Sequence, residues 1–297
     1  MAALTLERLA GKTWIARGPT NSGVVESGEG GVLLIDSGND ADAGRKLLRA
    51  CESAGLKIAA IANTHSNADH CGGNAFIQAR TTCKIIATAT EAAFIERSML
   101  EPSYLWGGFP LPSLRHKFLM AEASRVTDII APPCLVPDSD VKALPLPGHF
   151  FAMAGFMTSD GVFFAADTLA SSEILAKYPV FYLYDVAAFL ATLDTLAALE
   201  AEWIVPSHAP PTRDIGPLAL ANKAKVLEIA SYIVEACASP VTPEKLLAGV
   251  AAHFRIELTH TQYVLLGSTV RSYLAWLVQE KSLSSRIEGG YLLFERS

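Results

Sequence analysis

The sequence predicts an α/β protein of layered sheets followed by a small helical module, and three observations carry that expectation. Short apolar runs closed by turn residues alternate with stretches of helical periodicity from Thr13 to Val205. The first of these runs follow one another as hairpins, with no helix between them. After Leu218 strand signals give way to long helical stretches and one terminal hairpin. Ser239-Pro240 breaks a helix, so the division falls into residues 1–238, the main domain, and residues 239–297, the module.

Thr13 to Ala16, Gly23 to Glu26 and Val32 to Ile35 read as strands, the last closed by Asp36-Ser37-Gly38. Ala41 to Ala54 has a helical pattern, and Ile58 to Ala62 is a buried strand. Lys84 to Ala87 reads as a strand and Ala89 to Arg97 as a helix. Ser98 to Lys117 is rich in Pro, Gly and aromatics and reads as a long loop of the kind that forms lids and binding loops. Strands resume at Val141 to Leu144, Val162 to Ala165 and Trp203 to Val205, with a helix over Val186 to Glu200. Leu218 to Cys237 is helical, Thr242-Pro243-Glu244 opens a second helix with a capping residue and a first-turn proline, and Thr261 to Lys281 is a third. Ser284 to Glu288 and Tyr291 to Glu295 flank a Gly-Gly turn as a hairpin. From Pro240 onward the helix, helix and hairpin outline a winged-helix-like module.

Composition narrows the function. Of 297 residues, 51% are hydrophobic and 18% charged, which supplies a real core and leaves little room for disorder. A net charge of −6 lacks the basic face of a general polyanion binder. The opening MAALTLERLAGKTWIARG has no basic segment followed by an apolar one, and no apolar run is long enough to span a bilayer. Five scattered cysteines without a C-x-x-C pair fit free thiols, so a cytoplasmic location without membrane association is expected.

Chemistry concentrates in NTHSNADHCGGN, residues 63–74, directly after the strand at Ile58 to Ala62. His65, Asn67 and Asp69 alternate, so an extended segment would turn them to one side, with His70 pointing to a neighbouring position. Gly72-Gly73 permits close backbone approach, and Cys71 reads as a small apolar filler because His and Asp already supply enough ligands. Further donors stand after later strands: His149 in Leu146-Pro147-Gly148-His149, Asp167 in Ala166-Asp167-Thr168, and His208 in Pro206-Ser207-His208. Alone, His149 could be a surface residue, Asp167 a helix cap and His208 a loop partner. In this order and all at strand ends, they read as a metal site of the zinc type, with iron or manganese if oxygen donors dominate. His116, His253 and His260 lack such company and read as ordinary residues.

With these residues in view, the chain resembles the metallo-β-lactamase superfamily over Thr13 to Pro210. Thr64, His65, Asp69 and His70 match its T-H-x-H-x-D-H motif, and His149, Asp167 and His208 match three later ligand positions. Asp36 matches a strand-end aspartate of the family, expected to be structural. The resemblance implies a four-layer αββα sandwich carrying its metals at one edge. It implies one metal on His65, position 67 and His149, another on Asp69, His70 and His208, and Asp167 bridging them. It also implies one or two zinc ions per chain and attack by a metal-activated hydroxide on an electrophilic carbonyl or phosphorus, with Asp69 as the catalytic residue that orients the nucleophile and carries a proton.

Asn67 departs from the motif, which has histidine there. An amide oxygen is a poorer zinc donor than an imidazole nitrogen, so the first site is expected to be weakened while the second keeps its set. Hydrolysis of a small ester, thioester or lactone is the expected activity. The alternatives are an iron-dependent redox member of the family and a nucleic-acid-binding or processing protein that works through the module. Basic and acidic residues balance in residues 239–297, which points to packing or homodimer formation and away from nucleic acid. In the Ser98 to Lys117 stretch, Tyr104, Trp106 and Arg115 are the candidate substrate-binding residues, an apolar wall with a cationic end for a small-molecule substrate; the competing reading has them packing the loop onto the core.

Overall fold

The computed structural model describes residues 4–28 and 31–297. The early hairpin signals and the later strand–helix alternation build one sheet. It runs in chain order through β1 (Leu6–Ala10), β2 (Thr13–Ala16), β3 (Ser22–Ser27), β4 (Gly31–Ile35), β5 (Lys57–Ala62), β6 (Lys84–Thr88) and β7 (Asp128–Ile130). The first four strands pair antiparallel. From β4 onward pairing is parallel, because helices now occupy the connections. These helices are α1 (Ala41–Ser53), the short α2 (Ala68–Cys71), α3 (Asn74–Thr81), α4 (Ala89–Glu96) and α5 (Leu100–Trp106).

A second sheet holds β8 (Cys134–Leu135), β9 (Lys142–Pro145), β10 (Ala154–Met157), β11 (Val162–Ala170) and β12 (Trp203–His208), in the order β12-β11-β10-β9-β8. Period-two alternation decides which side chains face which layer. Val25, Leu33 and Ile35 point between the sheets and meet Ala143, Phe156 and Phe164. Val24, Val32 and Leu34 point outward onto Leu48 and Cys51 of α1 and Ile77 of α3. The outer face of the second sheet is covered by α7 (Val186–Ala197) and α8 (Gly216–Ala236), with α6 (Ser172–Lys177) packed on α8. The result is the expected αββα order of layers.

The C-terminal segment has the predicted sequence of elements: α9 (Pro243–His253), α10 (His260–Gln279) and the hairpin β13 (Leu283–Glu288) and β14 (Tyr291–Arg296). Thr242 caps α9 through Lys245 N, with Pro243 in the first turn. Residues 239–297 share their core with the main domain. Leu247 and Val250 of α9 and Val270 and Tyr273 of α10 lie in one apolar cluster with Phe189 of α7 and Val226 of α8. Among the described residues no helix is long and apolar enough to cross a membrane.

Two expectations are corrected. The Ser98 to Lys117 stretch is not a bare loop, since it contains α5 and a 3₁₀ turn at Pro112–Leu114. Pro102 sits in the first turn of α5, where a missing N–H costs nothing. The motif is not extended through Asp69 either: Asn67 precedes the helical turn of α2, with His70 N bonded to Asn67 O at 2.9 Å.

Candidate metal centre

The edges of both sheets meet at the motif. Ala154 N, at the start of β10, donates to Thr64 O at 2.9 Å, and Asn21 N donates to Ser207 O at 2.9 Å. Unusual backbone marks several site positions: Asp36 has φ 61°, Ala166 has φ 51° and Gly148 has φ 126°. A Cβ on Gly148 would stand 2.4 Å from the Phe189 backbone, so glycine is required where the chain turns to present His149. At Ala166 the pairing of β11 with β12 shifts register, which leaves Asp167 out of the regular ladder. Gly72 and Gly73 pass equally close to neighbouring backbone, at Asn39 O and Ser37 O.

Two ligand sets result, and they share one residue. Asp69, His70, Asp167 and His208 form one, and His65, His149 and Asp167 the other, with ligand atoms within 4.8 Å of one another. Asp167 Oδ1 lies 3.1 Å from His70 Nε2, and its Oδ2 lies 3.2 Å from His208 Nε2 and 3.6 Å from His149 Nε2. Asp69 Oδ2 lies 3.2 Å from His208 Nε2 and accepts from Thr20 Oγ1 at 3.0 Å. Asn67 borders the second set, its Oδ1 3.3 Å from His149 Nε2.

All four histidines are held by Nδ1, which leaves Nε2 for the centre. His149 Nδ1 donates to Tyr182 O at 3.1 Å and His208 Nδ1 to Pro19 O at 2.9 Å. His70 Nδ1 donates to Asp36 Oδ2 at 2.7 Å. Thr64 Oγ1 gives its proton to Asp36 Oδ2 at 2.8 Å, so it accepts from His65 Nδ1 at 3.0 Å. Asp36, expected to be structural, thus also orients two rings. Replacing Asp36 with Asn tolerates the left-handed backbone but removes the charge behind His70; metal affinity, read by competition with a chelator, is expected to fall about 10–100-fold.

These residues fit a metal. His65 Nε2 is buried without a hydrogen-bond partner, and His70 Nε2 and Asp167 Oδ1, also buried, face each other at 3.1 Å without hydrogen-bond geometry. Each orphaned polar atom costs about 1–3 kcal/mol, and a cation shared among them removes that cost. Burial disfavours charge on His70 and His208, but Asp167 and Asp69 outweigh it and raise both, His208 to about 11. Burial and the neighbouring rings instead push His65 below its ordinary range, and burial lowers His149. Burial alone would raise Asp69 and Asp167, yet the facing histidines hold both carboxyls below theirs. Nitrogen and oxygen donors make up the set, and no thiolate takes part: Cys71 Sγ donates to Ser66 O at 3.1 Å, and burial raises its thiol well above the usual range.

Two buried glutamates that sequence patterns did not single out support the motif. Glu91 accepts from Ser66 N at 2.9 Å, Ser66 Oγ at 2.7 Å and Ala152 N at 2.8 Å. Glu101, from α5, accepts from Asn67 Nδ2 at 3.0 Å.

His149, Asp167 and His208 open into a cavity of about 260 Å³. Its apolar wall includes Leu169, Ile174, Phe181 and, from α10, Leu265 and Leu266. Tyr104 and Trp106 line a different cavity, between α5 and α10, and Arg115 lies over the Phe109 ring at 4.9 Å. Tyr104 packs edge-on against Phe151 with centroids 5.0 Å apart. Of the lone histidines, His116 bonds Thr261 at 2.9 Å and His253 stacks on Tyr232 at 4.0 Å, both away from the centre.

The layered sandwich and the paired ligand sets at its edge define a hydrolase-type fold with a candidate metal site. The metallo-beta-lactamase superfamily model matches residues 15–208, and the chain belongs to that superfamily. Its structure is similar to a metallo-beta-lactamase family protein from Thermus thermophilus, at 19% identity over 99% of both chains with a TM-score of 0.74. It is similar to a beta-lactamase domain protein from Burkholderia ambifaria at 17% identity, covering 100% of this chain and 94% of that one with a TM-score of 0.73. A metallo-beta-lactamase from Pontibacter korlensis matches at 14% identity over 75% of this chain and 99% of its own, with a TM-score of 0.56. At such identities the likeness establishes the fold. No curated protein matches the chain.

Proposed function

We propose that the protein is a metal-dependent hydrolase of a small ester, thioester or lactone, with one or two zinc ions per chain. The observation that carries this reading is Asp167, shared by two ligand sets and lining a largely apolar cavity of about 260 Å³. Metal ions bound there would bring the pKa of a water toward about 7 and draw off charge developing on a carbonyl oxygen. His65, Asn67 and His149 would hold one ion, Asp69, His70 and His208 the other, and Asp167 both. Asp69, with its side chain 33% exposed and steadied by Thr20, orients the attacking water and receives its proton for transfer to the leaving group. Leu169, Ile174, Phe181, Leu265 and Leu266 suit an apolar acyl part. Elemental analysis combined with a panel of ester, thioester, lactone and phosphodiester substrates tests the proposal; metal binding without hydrolysis of any acyl substrate would overturn it.

The amide oxygen of Asn67 favours iron or manganese as the competing metals, and iron would carry the second reading, a redox reaction. Because α10 gives its side chains to the cavity wall, the module reads as part of the substrate site in preference to a nucleic-acid surface. Self-association is proposed through the hairpin, where Ile287 and Tyr291 are exposed. A cytoplasmic location fits the free cysteines.

Metal binding is expected to release protons. Without metal, His70 and His208 carry charge at neutral pH, and a cation must displace those protons. Calorimetry in buffers of different ionisation enthalpy should show about two protons leaving as the pair of sites fills, with affinity falling as pH is lowered. The pKa of His208 is raised from 6.5 to about 11, so its contribution to the stability of the metal-free chain is fully present below 6.5 and lost as pH rises through about 11. Thermal melts of the metal-free chain should therefore show this contribution declining toward alkaline pH, and the metal-loaded chain should lack that component.

A further inference from the structure

One side chain at the centre is gripped from behind by a residue of another element. Asn67 Nδ2 donates to Glu101 Oε1 at 3.0 Å, while Asn67 Oδ1 lies 3.3 Å from His149 Nε2. Glu101 stands in the first turn of α5 and is only 6% exposed, so its carboxylate is spent inside the protein and not on solvent. An amide has two unlike ends, and the Glu101 oxygen that faces Asn67, Oε1, is placed as an acceptor for the NH₂ end. Facing Glu101 with its oxygen would set acceptor against acceptor and turn the NH₂ group toward the ligand atoms, where it can bind no cation.

We propose that Glu101 is a positioning residue for the first metal: by accepting from the Asn67 amide nitrogen, it fixes the amide oxygen as that metal's donor and ties α5 to the site. The proposal rests on the metal-centre reading above and accounts for how an asparagine can serve in a ligand set that otherwise uses histidine on this side. A lone asparagine amide can rotate by half a turn, whereas one held by a buried carboxylate presents one end. Accepting from the NH₂ group also polarises the amide, which makes its oxygen more negative and a better donor to a cation.

The test measures zinc affinity at each site of the full chain by competition with a chromophoric chelator, together with the visible spectrum of the cobalt-loaded protein. Glu101→Ala is expected to weaken the first site about 10–100-fold and leave the site of Asp69, His70 and His208 close to wild type. Glu101→Gln, whose Oε1 can accept the same bond, should recover most of the affinity and the cobalt spectrum. In the Asn67→His background, where no amide needs orienting, Glu101→Ala should cost the first site far less than it does beside Asn67. Wild-type affinity at both sites in Glu101→Ala would overturn the proposal alone, as would equal weakening of both sites or a Glu101→Gln variant no better than alanine. A wild-type chain that binds no metal would overturn the metal-centre reading and this one with it.

Discussion

Replacing Asp167 with Ala is expected to abolish tight binding of a metal pair and to lower kcat/KM for any hydrolysed substrate about a thousandfold, roughly 4 kcal/mol of lost transition-state stabilisation. Among the described residues Asp167 is the one member common to both ligand sets, so its loss removes a donor from each at once. It also faces His70 at 3.1 Å and His208 at 3.2 Å, and its loss removes one of the charges that raise both rings, leaving Asp69 as the other. Asp167→Asn keeps the shape but not the charge and should be nearly as damaging. Chelator competition and steady-state kinetics on the same samples check this, and a variant that retains two tight metals would show that Asp167 does not bridge.

The second large effect concerns stability. Glu91→Ala is expected to destabilise the protein by about 3 kcal/mol, because it strands several buried donors at once. Ser66 N, Ser66 Oγ and Ala152 N all end on this carboxylate, and Glu91 itself is fully buried. These donors belong to the two segments that carry His65 and His149, so the loss should also loosen the first metal site. In Glu91→Gln one oxygen can still take the Ser66 pair, but the amide then meets Ala152 N–H donor to donor, so recovery should be partial. Denaturant unfolding of the metal-free chain measures the difference; a change below about 1 kcal/mol would mean that water takes over the stranded donors.

These predictions divide by what was legible in the sequence. His65, Asp69, His70, His149, Asp167 and His208 could be read because each stands at or just beyond the end of an apolar run, and such ends gather at one edge of a sandwich, although β11 continues past Asp167 to Ala170 and β12 ends on His208 itself. The layers could be read for a related reason, since alternation along β3 and β4 separates Val25 and Leu33 from Val24 and Leu34. Alternation failed within the motif itself: α2 closes a single helical turn, too short to leave a periodic signal, and it is that turn that sends Asp69 and His70 to one ligand set.

Glu91 and Glu101 were not legible because their partners lie far off in sequence. Glu101 meets Asn67 across 34 positions, and Glu91 meets Ala152 across 61. A glutamate in a short helix reads as a solvated surface residue, and only the packing of α4 and α5 over the motif makes these two buried. The helix α5 was hidden by the Pro, Gly and aromatic composition around it, although Pro102 falls where a helix accepts proline. The role of α10 in the cavity wall was hidden in the same way, since Leu265 and Leu266 are brought to His149 and Asp167 only by the core that residues 239–297 share with the main domain.

Zinc titration of the metal-free chain against a competing chelator, with hydrolysis followed in the same samples, tests the central claim most directly. Two binding steps of unequal strength are predicted, the tighter assigned to Asp69, His70 and His208 and removed by His208→Ala, with acyl hydrolysis rising as the sites fill. Less than one bound metal per chain, or hydrolysis that is indifferent to metal loading, would contradict the account.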